Sequence, residues 1–71
     1  MEATRLTFRE SQVLTHLALG CTYAKVAHRL GMSEHTVATH VKNAYRKLDV
    51  HSAAAAVMRA MQLGLLQPVK Y

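Results

Sequence analysis

The sequence predicts an all-α domain of four short helices containing a helix-turn-helix unit. Three observations predict it. Apolar residues recur at helical spacing in four separate stretches of the 71-residue chain. Each stretch is preceded by a threonine or serine able to cap a helix, and three of the four are followed by glycine. No stretch alternates polar and apolar residues with period two, and no hairpin turn is present, so no strand is expected.

The first helix starts in "LTFRESQVLTHLALG", where Thr7 and Glu10 stand three residues apart in a capping-box pattern. The Glu10 carboxylate also suits the positive end of the helix dipole. Val13, Leu14, Leu17 and Ala18 form its apolar stripe, and Gly20 is placed to leave the helix in a left-handed conformation. In "TYAKVAHRLG", Thr22 caps a short second helix, Val26, Ala27 and Leu30 form its apolar patch, and Gly31 stops it. Gly31, Met32 and Ser33 make a tight turn. Ser33 caps a third helix running to Leu48, with Glu34 in its first turn. Two helices joined by a three-residue turn that begins with glycine make a helix-turn-helix. A fourth helix, residues 53–63, is capped by Ser52 and ended by Gly64, and Pro68 blocks any continuation.

Composition excludes several function classes. Cys21 is the single cysteine, so neither an internal disulfide nor a cysteine-based zinc site is available. The five histidines (His16, His28, His35, His40 and His51) include no pair three or four residues apart, so no metal or other cofactor is expected. His40, beside the Val37/Val41 stripe, reads as a half-buried hydrogen-bonding residue. No catalytic residue is expected: the chain has no phosphate loop and no paired carboxylates, and it is too short to form a pocket. The longest apolar run, "AAAAVM" at residues 53–58, is too short to span a bilayer. With an unpaired cysteine and no visible signal peptide, a cytoplasmic location is expected.

Of the formal charge of +5, +4 falls within residues 22–47, from Lys25, Arg29, Lys42, Arg46 and Lys47 against Glu34. That clustering points to a polyanion, with a merely solubilising surface as the alternative. On the third helix, Val37, Val41, Ala44 and Leu48 share one side and form its core stripe. The opposite side offers His35, Thr39, Lys42, Asn43 and Arg46. Lys42 and Arg46 suit guanine O6 and N7 or phosphates, Asn43 can pair with adenine, and the Thr39 methyl can meet a thymine. Glu34 can accept from a cytosine amino group or serve only the dipole.

The blocks "LTFRESQVL", "GCTYAKVA", "LGMSEHTV", "HVKNAYRKLDV" and "GLL" together resemble the C-terminal DNA-binding domain of the LuxR/FixJ/NarL transcription regulators, also called GerE-like. The resemblance covers residues 6–66, leaving tails at 1–5 and 67–71. It implies a four-helix LuxR-type helix-turn-helix domain that binds double-stranded DNA as a dimer and regulates transcription in bacteria. Carried over by position, it places Ser33, Glu34, His35 and Thr36 near phosphates or the first bases. It sets Ala38, Thr39 and Lys42 facing bases, with Asn43 and Arg46 flanking the groove and Arg46 on phosphate. Thr22, Tyr23 and Lys25 start the second helix, whose N–H groups can meet a phosphate.

Three positions depart from the family pattern. Ala38 stands where lysine is common, Lys25 where glutamate is usual, and Ala53 where the family has arginine. The first removes a donor, and the second breaks a capping box while offering a cation to phosphate. Together they imply an altered sequence preference.

In the fourth helix Ala53, Ala54, Val57, Ala60 and Met61 suffice to pack on the other helices. Ala55 and Met58 then face outward beside Arg59 and Gln62, and these four are the expected dimer contact. The resemblance implies double-stranded DNA and a second copy as partners, RNA polymerase as a further one, no membrane, and association with the nucleoid when DNA is bound. The input signal in such regulators usually arrives through a separate N-terminal domain, so the chain reads either as an effector domain or as a free-standing small regulator. The alternative function is an adaptor that keeps the fold and regulates a partner protein.

Overall fold

The structure, a computed structural model, describes residues 5–66. Residues 1–4 and 67–71, and with them Pro68, lie outside the described residues. The described chain holds four helices and no strand: α1 (Phe8–Ala18), α2 (Tyr23–Leu30), α3 (Glu34–Leu48) and α4 (Ala53–Gln62).

Each helix begins where a hydroxyl can accept a first-turn N–H. Thr7, Thr22, Ser33 and Ser52 all cap in extended backbone, accepting from Glu10, Lys25, Thr36 and Ala55 respectively. Only α1 has the full reciprocal box: Thr7 N–H donates to Glu10 Oε1 at 2.9 Å. Gly31 ends α2 at φ 67°, ψ 39°, and Met32 N–H then reaches back to the Ala27 carbonyl at 3.0 Å. α3 stops by the same geometry, but at Asp49, a non-glycine residue held at φ 56°, ψ 51°. Val50 N–H completes that stop on the Tyr45 carbonyl at 3.1 Å. Aspartate tolerates the left-handed region better than most residues, at some cost in strain.

The core consists of two apolar clusters, and α3 supplies both. Val37 and Val41, in its first half, pack with Val13 of α1 and Val26 and Ala27 of α2. Ala44 and Leu48, in its second half, pack with Leu14 of α1, Ala56 and Ala60 of α4, and Leu66. Leu17 and Tyr45, both half-buried, touch the two clusters and join them. The small side chains at Ala44, Ala56 and Ala60 are fully buried, which lets α3 and α4 approach closely. Each fully buried valine or leucine contributes about 2 kcal/mol of transfer free energy.

The rotation of α4 differs from the sequence expectation. Ala56 and Ala60 are its buried residues, with Ala53, Val57 and Met61 half-buried. Ala54, expected to pack, is exposed, and Ala55, expected to face outward, is half-buried. Four consecutive alanines present no contrast in size, so the sequence pattern could not fix which of them turns inward. The docking of Ala56 and Ala60 against Ala44 and Leu48 settles it.

One buried polar group ties the ends of the fold together. Glu10 is 3% exposed, and its Oε1 accepts from both Thr7 N–H and the Lys47 ammonium, the latter at 2.8 Å. Burial alone would push the Glu10 carboxyl up, but the Lys47 and Thr7 hydrogen bonds outweigh it and hold it below the ordinary 4.5. A carboxylate held down in this way stabilises the fold above pH 4.5, and that stability is lost as the pH falls through its lowered value.

Glu10→Ala is therefore expected to cost about 2 kcal/mol at pH 7. Its deficit relative to wild type should shrink in urea melts at pH 3; an equal deficit at both pH values would refute the ionic contribution. Asp49→Gly is expected to raise stability by about 0.5 kcal/mol in the same melts, since glycine relieves the left-handed strain.

Candidate nucleic-acid interface

The candidate interface is the outer face of α3 with the start of α2. Ser33 fixes where α3 begins: its Oγ accepts from Thr36 N–H at 3.0 Å and its carbonyl from Val37 N–H at 3.0 Å. Burial of Val37, Val41, Ala44 and Leu48 then fixes its rotation. With that side held down, His35, Ala38, Thr39, Lys42 and Arg46 are all exposed along the opposite side. Ser33 and Glu34 are exposed at its N-terminal end.

Two expected contacts are less available. Thr36 is half-buried, with its hydroxyl 3.0 Å from Ser33 Oγ, so the cap already engages it. Asn43 is half-buried on the flank of the face. Thr39 is exposed, but its hydroxyl donates to the His35 carbonyl at 3.0 Å. That bond leaves the methyl as the side chain's outward group.

The fold brings Tyr23, at the start of α2, beside this face. Thr22, Tyr23 and Lys25 are exposed. Thr22 Oγ accepts from Lys25 N–H at 3.2 Å, which is half of a capping box. Tyr23 of α2 and Ala38, Lys42, Tyr45 and Arg46 of α3 line an open groove of about 530 Å³. Burial, reinforced by the neighbouring Tyr23 hydroxyl, pushes the Tyr45 hydroxyl above its ordinary value of 10.0, so it stays a neutral donor at physiological pH. His51, from the turn before α4, and Asp49 also line the groove.

Tyr45 and His51 were missed as groove residues from the sequence. Tyr45 carries a weak signal, since it lies three residues after Lys42. His51 carries none, because the α3–α4 turn reaches the groove only in the folded chain.

The charge on this surface is smaller than the sequence suggests. Lys47, counted among the clustered cations, is paired with the buried Glu10 on the α1 side. Among the described residues no carboxylate lies within 4 Å of Lys25, Arg29, Lys42 or Arg46. Of these four, Lys42 and Arg46 line the groove, which Asp49 also lines. Arg29 Nη1 also lies 3.4 Å from the half-buried Cys21 Sγ.

On α4, Ala54, Met58 and Gln62 form one exposed line at i, i+4 and i+8, with Arg59 exposed beside it. Met58 is 59% exposed, a large apolar side chain left uncovered. Among the described residues no group of three or more histidine, cysteine or acidic side chains is gathered to hold a metal ion. No helix there is long and apolar enough to cross a membrane.

The family model for bacterial regulatory proteins of the luxR family matches residues 4–60. The chain is 43% identical over 60 residues to the transcriptional activator protein CarR of Pectobacterium carotovorum subsp. carotovorum, covering 84% of this chain. It spans about a quarter of the length of CarR and of several other curated relatives. The solved structure of the transcription factor GerE superposes with a TM-score of 0.83 at 31% identity, covering 87% of this chain and 92% of GerE. The response regulator ChrA, from a heme-sensing two-component system, superposes with a TM-score of 0.85 at 35% identity, covering 93% of this chain and 33% of ChrA.

Proposed function

The chain belongs to the luxR family of bacterial regulatory proteins, and from that membership we propose that it is a transcription-regulating domain that binds double-stranded DNA. The acting unit is residues 6–66, with α3 lying in the major groove and α4 joining two copies. The observation that carries this reading is the exposed side of α3, where Lys42 and Arg46 stand without a carboxylate partner on the second helix of a helix-turn-helix. A helix held by one buried stripe presents its other side as a rigid ridge, which major-groove docking requires.

Within this reading the contacts divide by chemistry. Lys42 reaches base edges or phosphate, and Arg46 holds the backbone at the rim of the groove. The first-turn N–H groups of α2, with Lys25 and the Tyr23 hydroxyl, receive a phosphate on the far side of the cleft. The glutamate common in the family at the position of Lys25 would repel that phosphate, so the change to lysine favours it. Asn43 and Thr36, being half-buried, act at the edge of the contact.

The exposed line of α4 is the surface offered to a second copy. Ala54 takes the outward place first assigned to Ala55, and it continues the line of Met58 and Gln62, with Arg59 alongside. A small residue permits close approach, while a methionine adapts to an imperfect fit. A dimer joined there would read two half-sites about one DNA turn apart.

Anisotropy titration against duplex DNA at two salt concentrations tests the reading. Lys42→Ala and Arg46→Ala should each weaken binding and lower the salt slope by about one, without loss of helical circular dichroism. Unchanged affinity in both variants at low salt would overturn it, and an adaptor protein would show no salt-dependent DNA binding at all. Sedimentation on a duplex carrying two half-sites tests the dimer. Met58→Glu should leave single-copy binding intact and abolish the two-copy complex, whereas an undiminished two-copy complex would exclude this face.

A further inference from the structure

Among the exposed residues of α3, two neighbours differ in kind from the rest. Ala38 ends in a methyl group, and Thr39 presents a methyl because its hydroxyl is turned back onto the His35 carbonyl at 3.0 Å. Both are exposed. At 100° per residue they fall on either side of the line through His35 and Lys42, so they straddle the middle of the outer face. The result is an apolar spot two methyl groups wide, bordered by polar and cationic side chains. Among the described residues nothing covers it, and neither methyl takes part in the two core clusters.

In the major groove the C5-methyl of thymine is the apolar group that the four bases offer to such a spot. Cytosine gains the same group only when methylated at C5. We propose that Ala38 and Thr39 select thymine by methyl contact, so that the half-site carries thymine at the two positions that face them. This rests on the DNA-binding reading above and adds the base that is read. The mechanism needs both structural facts. A lysine at 38 would overhang the spot with a hydrated charge, and a free Thr39 hydroxyl would accept or donate to any base. With its proton committed to the His35 carbonyl, Thr39 has no donor left for a base, and its methyl supplies apolar surface. Ala38 also lines the open groove that it shares with Tyr23 and Lys42.

The test uses duplexes selected from a random pool by the full 71-residue chain, then resynthesised with single replacements of thymine by deoxyuridine. That exchange removes one methyl group and leaves every base-edge donor and acceptor in place. Wild type should lose about four-fold in affinity at each of two positions, the effect of one buried methyl. Replacing deoxyuridine by 5-methylcytosine opposite guanine should recover affinity relative to unmethylated cytosine at those positions. Thr39→Ser keeps the bond to the His35 carbonyl but lacks the methyl, and should bind thymine and deoxyuridine duplexes alike at one of the two positions. Ala38→Lys should do so at the other and raise the salt slope by about one.

Selection that yields duplexes insensitive to deoxyuridine at every thymine would overturn the methyl readout while leaving DNA binding in place. Sensitivity that persists unchanged in Thr39→Ser and Ala38→Lys would overturn the assignment to these residues. Failure to select any duplex would overturn the DNA-binding reading and this inference with it.

Discussion

The outer surface of α3 is set by the inner one. Val37, Val41, Ala44 and Leu48 are buried along a single side of the helix, each in one of two clusters that α1 divides between α2 and α4. Rotating α3 by one residue would bring polar side chains into both clusters and expose four apolar ones, at a cost of several kcal/mol. The face presented by His35, Ala38, Thr39, Lys42 and Arg46 is thus fixed by packing to which none of those residues contributes. A readout ridge that does not hold up the fold can change chemically without unfolding it, and the Ala38 departure is a change of that sort.

Around this helix the chain uses local stops and one long-range tie. Hydroxyl caps start all four helices, and left-handed residues at Gly31 and Asp49 turn the backbone sharply at either end of the α3 region. Such stops fix where a helix begins and ends but not how it docks. The Glu10–Lys47 pair adds docking information, because it joins the first turn of α1 to the last turn of α3 across 37 residues of sequence. Its Lys47 end is 37% exposed, so the pair is not fully desolvated, and the two hydrogen bonds on Glu10 Oε1 satisfy the buried partner. The same pair takes one positive charge out of the field that faces the groove.

Function on this scaffold is a matter of what remains uncovered. Lys42 and Arg46 line a cleft that also holds two tyrosines and Asp49, a setting with donors for phosphate and aromatic bulk for sugar or base. On α4, Met58 is left exposed beside Ala54 and Gln62. The two surfaces lie on different helices, so a second copy could join at one without blocking the other. The similarity to GerE over nearly its whole length extends to the four-helix scaffold that carries these two surfaces.

By itself the sequence determined the four helices, their caps and most of the core, because those depend on local spacing and on which hydroxyls precede which apolar stripes. The α3 stripe, its exposed opposite face and the half-burial of His40 all follow from 3.6-residue periodicity alone. Only the tertiary structure decided the rotation of α4, since an alanine run carries no periodic contrast, and Ala56 turns inward where Ala54 was expected. It also decided the fate of Lys47 and Glu10, whose attraction depends on a contact between residues far apart in the chain. His51 likewise reached the groove only through the closing of the α3–α4 turn, which no spacing in the sequence encodes.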